Sequence, residues 1–293
     1  MTSTTTARAL RDTGLQWRPA KGDRFVIPDR EMDDVVFVVS DMTIEAHDLP
    51  SGQVLGFNGT TEWALDSVDA AEVLWLPREG QLREHLGGAL VALRPAGEQW
   101  GVTTRRDGGA EVTTAAEDAE EAYALALLAL RGTTSRQLLP VAAGGLAAVL
   151  APLPAAAWST TAGSALTVAD VVAGAVGGLG ADPATSWRGA LVTLLEAWTR
   201  SLEAAGAVVG DGAAQAEEVA EAGADGVLVD LVGATWDVAV ATGVPDPAAA
   251  LDPAVVDRAL AHVRSWPTSG PAAPSGDALA ELLRLTGRHV EAR

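Results

Sequence analysis

Along the first hundred residues the apolar positions come in short bursts, continuous or alternating, and turn residues interrupt them every few positions. Val35 to Val39 is a nearly continuous apolar run, Met42 to His47 alternates, and Val54 to Phe57 and Val73 to Leu76 are further short runs. Runs of this length, bounded by Gly, Pro, Asn and Asp, predict β-strands. A strand within Lys21 to Asp29 must be short, because Pro28 has no amide hydrogen to donate to a ladder. Leu49-Pro-Ser-Gly-Gln53 predicts a turn, and Asn58-Gly59 a second one, since both of its residues tolerate positive φ. Thr60 and Thr61 can cap a short helix carrying Trp63, Ala64 and Leu65. Two more strands are expected at Ala89 to Leu93 and Gln99 to Thr104, on either side of Pro95-Ala-Gly97. Helices are expected at Ser3 to Thr13, stopped by Gly14, and from Pro77 to Leu86, stopped by Gly87-Gly88.

Near residue 115 the pattern changes to long stretches of Ala, Leu and Gly at helical spacing. Thr114-Ala-Ala-Glu117 has the form of a capping box, and Glu117, Asp118, Glu120 and Glu121 fall where a helix dipole favours negative charge. That helix should reach Gly132. Further helices are expected at Ser135 to Leu150, Thr167 to Gly177, Pro183 to Ala205, Ala213 to Ala222, Val227 to Thr242, Pro253 to Ser265 and Gly276 to Thr286. Asp182-Pro183 and Asp252-Pro253 each place a capping carboxylate before a proline at the first helical position. Ala216 to Asp230 is similar to the helix-turn-strand unit of (β/α) barrels, but Asp230, Gly233 and Asp237 recur at helical spacing, which favours helix. The expected fold class is therefore α+β, with a small, mainly antiparallel β-rich N-terminal domain (1–114) followed by an all-α C-terminal domain (115–293).

Charge and composition then remove several function classes. There are 39 acidic and 20 basic residues, a formal net charge of −19, and Lys21 is the single lysine. Such a chain is repelled by phosphate backbones and anionic lipid unless it carries a local basic patch. Neither Arg105-Arg106 nor the pair Arg78 and Arg83 makes a basic stripe, so no nucleic-acid partner is expected. Cysteine is absent, which excludes disulfides, thiolate metal sites and cysteine nucleophiles. The N-terminal segment lacks the hydrophobic run and small-residue cleavage site of a signal peptide, so a cytoplasmic protein is expected. Leu138 to Trp158 is an uncharged span long enough to reach across a bilayer. Pro140, Pro152 and Pro154 interrupt it, and its Ala and Gly residues supply little transfer energy, which favours a buried helix with a proline-rich exit.

No linear arrangement names a reaction. The glycine clusters 174–180 and 206–212 lack the strand, helix and Lys-Ser/Thr context of a phosphate loop. The four histidines, His47, His85, His262 and His289, do not pair at i, i+4, and no Gly-x-Ser-x-Gly elbow occurs. Asp29, Glu31, Asp33 and Asp34 form an acidic loop whose oxygens suit a hard cation in kind, but their spacing is that of no EF-hand. No metal site and no cofactor follow from these residues. Trp187 and Trp198 lie three helical turns apart on one face, where they are expected to pack between helices.

The segments GDRFVIPDREMDD, SDMTIEAHDLPSGQVLGFNGTTEWALDSV and VLWLPREGQLREHLGG resemble a family of uncharacterised actinobacterial proteins, some of which carry a pilus-assembly label. The likeness spans residues 10 to 130. That label usually implies a deviant Walker ATPase, whose loop this sequence lacks, so the resemblance brings neither ATPase activity nor any functional residue. It implies a module that can head longer chains. Taken with the missing catalytic constellations, the sequence points to a non-enzymatic cytoplasmic interaction or accessory protein, acting on a protein partner or on itself. Its expected surface is Asp29, Glu31, Asp33 and Asp34 together with Asn58, Thr60, Thr61, Glu62 and Trp63. The alternatives are an enzyme or small-ligand binder with a site between the two domains, and membrane association through 138–158.

Overall fold

In the computed structural model of the chain, the residues described are 1–28, 35–40, 44–50, 52–57, 67–106, 109, 111–162, 165–210, 212–266 and 277–288. Helix α1 (Thr4–Asp12) starts where the Ser3 side chain accepts from the Thr6 amide, as a capping serine does. Gly14, at φ 79°, turns the chain away after it. Strands β1 (Arg24–Val26), β2 (Phe37–Val38), β3 (Ile44–Leu49), β4 (Gly52–Phe57), β5 (Ser67–Asp69) and β6 (Leu74–Leu76) follow. All their pairings are antiparallel, in two three-stranded sheets ordered β2-β1-β6 and β3-β4-β5. Phe25 pairs with Phe37 on one side and Trp75 on the other. Phe25, Ile27, Val39, Leu55 and Val73 close into a small core between the strands.

Helix α2 (Glu79–Leu86) begins two residues beyond Pro77, where the Gln81 side chain accepts from the Arg78 amide at 3.0 Å. A third antiparallel sheet comprises β7 (Leu90–Ala96), β8 (Gln99–Arg105) and β9 (Glu111–Ala116), in that order. Strand β9 corrects the expected capping box. Thr114 sits in mid-strand opposite Val102, and the next helix, α3 (Ala119–Arg131), is capped by Asp118, which accepts from the amides of Glu120 and Glu121. Pairing with β8 holds 111–116 extended, and an aspartate two residues beyond Ala116 serves as the cap instead.

The helical half consists of α4 (Ser135–Leu150), α5 (Val168–Val176), α6 (Pro183–Gly206), α7 (Ala213–Ala241), α8 (Pro253–Arg264) and α9 (Ala278–Leu285). It also carries a hairpin of two-residue strands, β10 (Thr161–Ala162) and β11 (Leu166–Thr167). Asp182 and Asp252 cap α6 and α8 with proline next in line, as their sequences predict. The expected break at Ala222 to Gly226 is absent: α7 runs unbroken for 29 residues. Gly223 and Asp225 are there for tertiary reasons. A Cβ at Gly223 would lie 2.6 Å from the ring of Trp198 on α6, and Asp225 is consumed by an ion pair with α8. The polar stripe Asp230-Gly233-Asp237 is covered by Arg288, whose guanidinium pairs with Asp237 at 2.9 Å.

One large core joins the two halves. It takes Leu10 from α1, Leu82 and Leu86 from α2, Val102 from β8, nearly all of α3, and residues of each helix from α4 to α9. The change of composition at 114/115 falls inside β9, and α3 packs against strands on one side and α1, α2 and α4 on another. Trp187 is buried in this core, with the Arg188 guanidinium 4.3 Å from its ring centroid. Among the described residues no helix is long and apolar enough to cross a membrane. Within 138–158 the chain instead gives the buried part of α4, a turn, and a short 3₁₀ helix ending near buried Trp158.

Candidate functional site

The most organised polar centre of the β-rich half is Asp23. Its side chain is fully buried and accepts from the Trp17 indole at 2.9 Å, the Ala20 amide at 2.9 Å, Arg78 at 2.8 Å and Gln81 at 2.7 Å. A buried carboxylate with this many donors is satisfied, and it fixes the 15–23 loop against β6 and α2. Trp17 is thereby held parallel to Trp75, centroids 6.3 Å apart and planes 7° from parallel, while His85 meets the Trp75 ring edge-on at 6.2 Å. Two cavities flank the pair. One, of about 530 Å³, lies toward Arg11, Gln53, Asp69 and Ala71. The other, of about 450 Å³, is bounded by Arg18, Gln81, Glu84, His85 and Arg131. Both share Leu15, Gln16, Trp17 and Trp75. The Trp75 Nε1 is buried and meets no acceptor among the described residues.

A larger cavity, about 610 Å³, lies where the two halves meet. Its walls are Thr113 to Ala115 of β9, Val141, Gly145 and Val149 of α4, the proline-rich exit to Pro154, and the chain from Thr242 to Asp252. Gly145 makes this junction, since a Cβ there would lie 2.5 Å from the Ala250 carbonyl oxygen. Asp252 lines the cavity and caps α8. Burial pushes its carboxyl above the ordinary range, against the pull of the Ala254 amide and Arg106.

The remaining charged clusters tie elements together. Asp225 receives both guanidinium arms of Arg258, at 2.6 and 2.9 Å, and the Ser135 hydroxyl. His262 Nδ1 stands 3.7 Å away, and Glu221 lies 3.7 Å from Arg258. Ser135 is fully buried, so this Ser-Asp-Arg-His set clamps α4, α7 and α8. Burial raises the Glu221 carboxyl, with Arg258 drawing it back. At the start of α3, Glu121 accepts from the Ser3 amide and hydroxyl and from the Thr6 hydroxyl at 2.5 Å, and Glu120 takes Arg24 at 2.5 Å. These carboxylates, expected only to complement a helix dipole, anchor the N-terminal segment. Desolvation raises the Glu121 carboxyl despite its three donors.

The expected surface residues Asp29, Glu31, Asp33 and Asp34, and Asn58, Thr60, Thr61, Glu62 and Trp63, lie outside the described residues. The described flank of the first group is informative. Of the five-residue apolar run only Phe37–Val38 forms a strand, and among the described residues it is the edge of its sheet. Phe37 stacks on Phe25 and Val39 is buried, whereas Val35, Val36 and Val38 are 47%, 37% and 47% exposed. Both glycine clusters mark helix ends, with Gly177 in the left-handed region after α5 and Gly206 closing α6. His47 sits in β3 opposite Val54. Among the described residues no group of three or more His, Cys, Asp or Glu could hold a metal ion.

No family model, curated protein or solved structure matches this chain. The reading of its sites rests on its own geometry. Sequence reasoning missed the Trp17–Trp75 groove, whose signal is only the polarity of Trp17-Arg18 beside a fold-bridging aspartate. It also missed the Asp225–Arg258 clamp, for which Asp225 within an apolar helix was the available sign.

Proposed function

We propose that the protein is a non-enzymatic cytoplasmic interaction or accessory protein that acts through protein–protein contacts, with the β2 edge as its contact surface. The observation that carries this reading is the row of exposed valines, Val35 and Val36 just before β2 and Val38 within it, with β2 at the edge of its sheet among the described residues. Apolar side chains along the edge of a sheet favour a further strand over water. Natural edges are commonly guarded by Lys, Pro or a bulge, and residues 35–39 contain no Lys or Pro. The occupant that fits is an extended segment, supplied by β2 of a second copy or by a partner protein. Replacing Val38 with a photo-crosslinking amino acid in the full chain tests this. Crosslinks that map to an extended segment of another chain support it, and crosslinks confined to the same chain count against it.

The 610 Å³ cavity favours a second reading, a small-ligand binder with its site between the two halves. Its volume falls within the range of small-molecule sites, and its lining is mainly apolar with Thr113, Thr114, Thr242, Asp246 and Asp252 as polar groups. Ala148→Leu, at a half-buried wall residue of the cavity, would reduce that space, and unchanged ligand-induced stabilisation in this variant would remove the reading.

A further inference from the structure

We propose that the groove around Trp17 and Trp75 binds a small planar anion, an aromatic ring carrying a carboxylate or a phosphate. The observations are independent of the β2 edge. The first is sign: in a chain of net charge −19, the 450 Å³ cavity is bounded by Arg18 and Arg131 against the single carboxylate of Glu84. Neither arginine has a carboxylate partner among the described residues. Among the described residues Arg131 donates to the Thr13 hydroxyl and carbonyl, at 3.2 and 3.4 Å, neither of which carries charge. A local reversal of sign within an acidic protein concentrates anions at that point.

The second observation is the platform. Trp17 cannot swing away, because its indole is committed to buried Asp23, and Trp75 lies parallel to it. Flat, immobilised indole faces take flat partners, and little side-chain freedom is lost on binding. The third is the pair of donors. Arg18 and Arg131 both line the cavity, and a carboxylate or phosphate is the group that two guanidinium side chains bind by charge-assisted hydrogen bonds. The cavity volume lies in the range of small-ligand sites.

The test uses the full chain and isothermal titration with 2-naphthoate, 2-naphthyl phosphate, 2-naphthylmethylammonium and inorganic phosphate. Binding of either naphthyl anion, with the tighter one naming the headgroup, is expected, while the naphthyl cation and inorganic phosphate bind at least roughly 10-fold more weakly. Arg18→Gln and Arg131→Gln should each weaken the anion roughly 10-fold, and Trp75→Phe should weaken it while retaining the ring. Arg18 is exposed, so its variant keeps the test valid should Trp75→Phe fail to fold. Equal binding of the cation, equal binding of inorganic phosphate, an unchanged affinity in Arg18→Gln and Arg131→Gln, or no binding by either naphthyl anion would each overturn the proposal.

Discussion

The clamp formed by Asp225, Arg258 and Ser135 makes a quantitative prediction about how α7 is fixed to α8. Asp225 is 12% exposed and Arg258 31%, and their bidentate contact is backed by the buried Ser135 hydroxyl. Arg258→Met removes the compensating charge and leaves the Asp225 carboxylate buried. Breaking a buried pair from one side costs about 3–5 kcal/mol. Part of Arg258 reaches solvent, and Ser135 still donates to Asp225, so about 2–3 kcal/mol is expected here. At about 2–4 °C per kcal/mol for a chain of this size, the melting temperature should fall by about 4–12 °C. The double variant Asp225→Leu/Arg258→Met removes both charges and should recover at least about 1.5 kcal/mol relative to the sum of the two single variants. Urea unfolding of the four proteins gives the coupling energy. Strict additivity, or an Arg258→Met cost no larger than that of a surface substitution, would refute the reasoning.

Two further outcomes follow from close packing and from burial. Gly223→Ala places a methyl 2.6 Å from the rigid Trp198 ring and should cost about 1–3 kcal/mol in urea unfolding, whereas Gly226→Ala, with open space around it, should be neutral or stabilising as helices prefer alanine to glycine. Glu121 has a folded-state pKa raised above its unfolded value, chiefly by desolvation; its contribution is therefore complete below about pH 4.3 and is lost as pH rises through the folded value. Glu121→Gln keeps an acceptor for the Ser3 and Thr6 hydroxyls but sets an NH2 against the Ser3 amide; it should abolish that decline, so the natural chain loses stability relative to the variant as pH rises, and a natural chain that instead gains stability relative to the variant would contradict the assignment.

How much of the fold was legible depended on whether the deciding interaction was local. The starts of α6 and α8 follow from Asp-Pro pairs because a cap is made within three residues of itself. Thr114-Ala-Ala-Glu117 failed as a cap because Thr114 pairs with Val102, a partner that no short window contains. The same holds for the expected break in α7. Gly223 and Asp225 look like turn residues in isolation, yet Trp198 and Arg258 require them inside a helix. Trp187 and Trp198 were placed correctly as packing residues, since one helix face carries both. The groove was illegible for the opposite reason: Arg18, Trp75 and Arg131 are far apart in the chain and converge only when Asp23 binds Trp17, Arg78 and Gln81 together.

The central claim, that the β2 edge is a protein-contact surface, is tested most directly by crosslinking from position 38, in the otherwise natural chain and in Val35→Lys/Val36→Lys, alongside light scattering of both. Both valines are exposed, so the double variant should melt within about 1 kcal/mol of the natural chain while losing the crosslink and any concentration-dependent rise in mass. The account predicts an intermolecular crosslink to an extended segment that the two lysines abolish. An intermolecular crosslink that survives them, or a natural chain that stays monomeric and crosslinks only to itself, would contradict it.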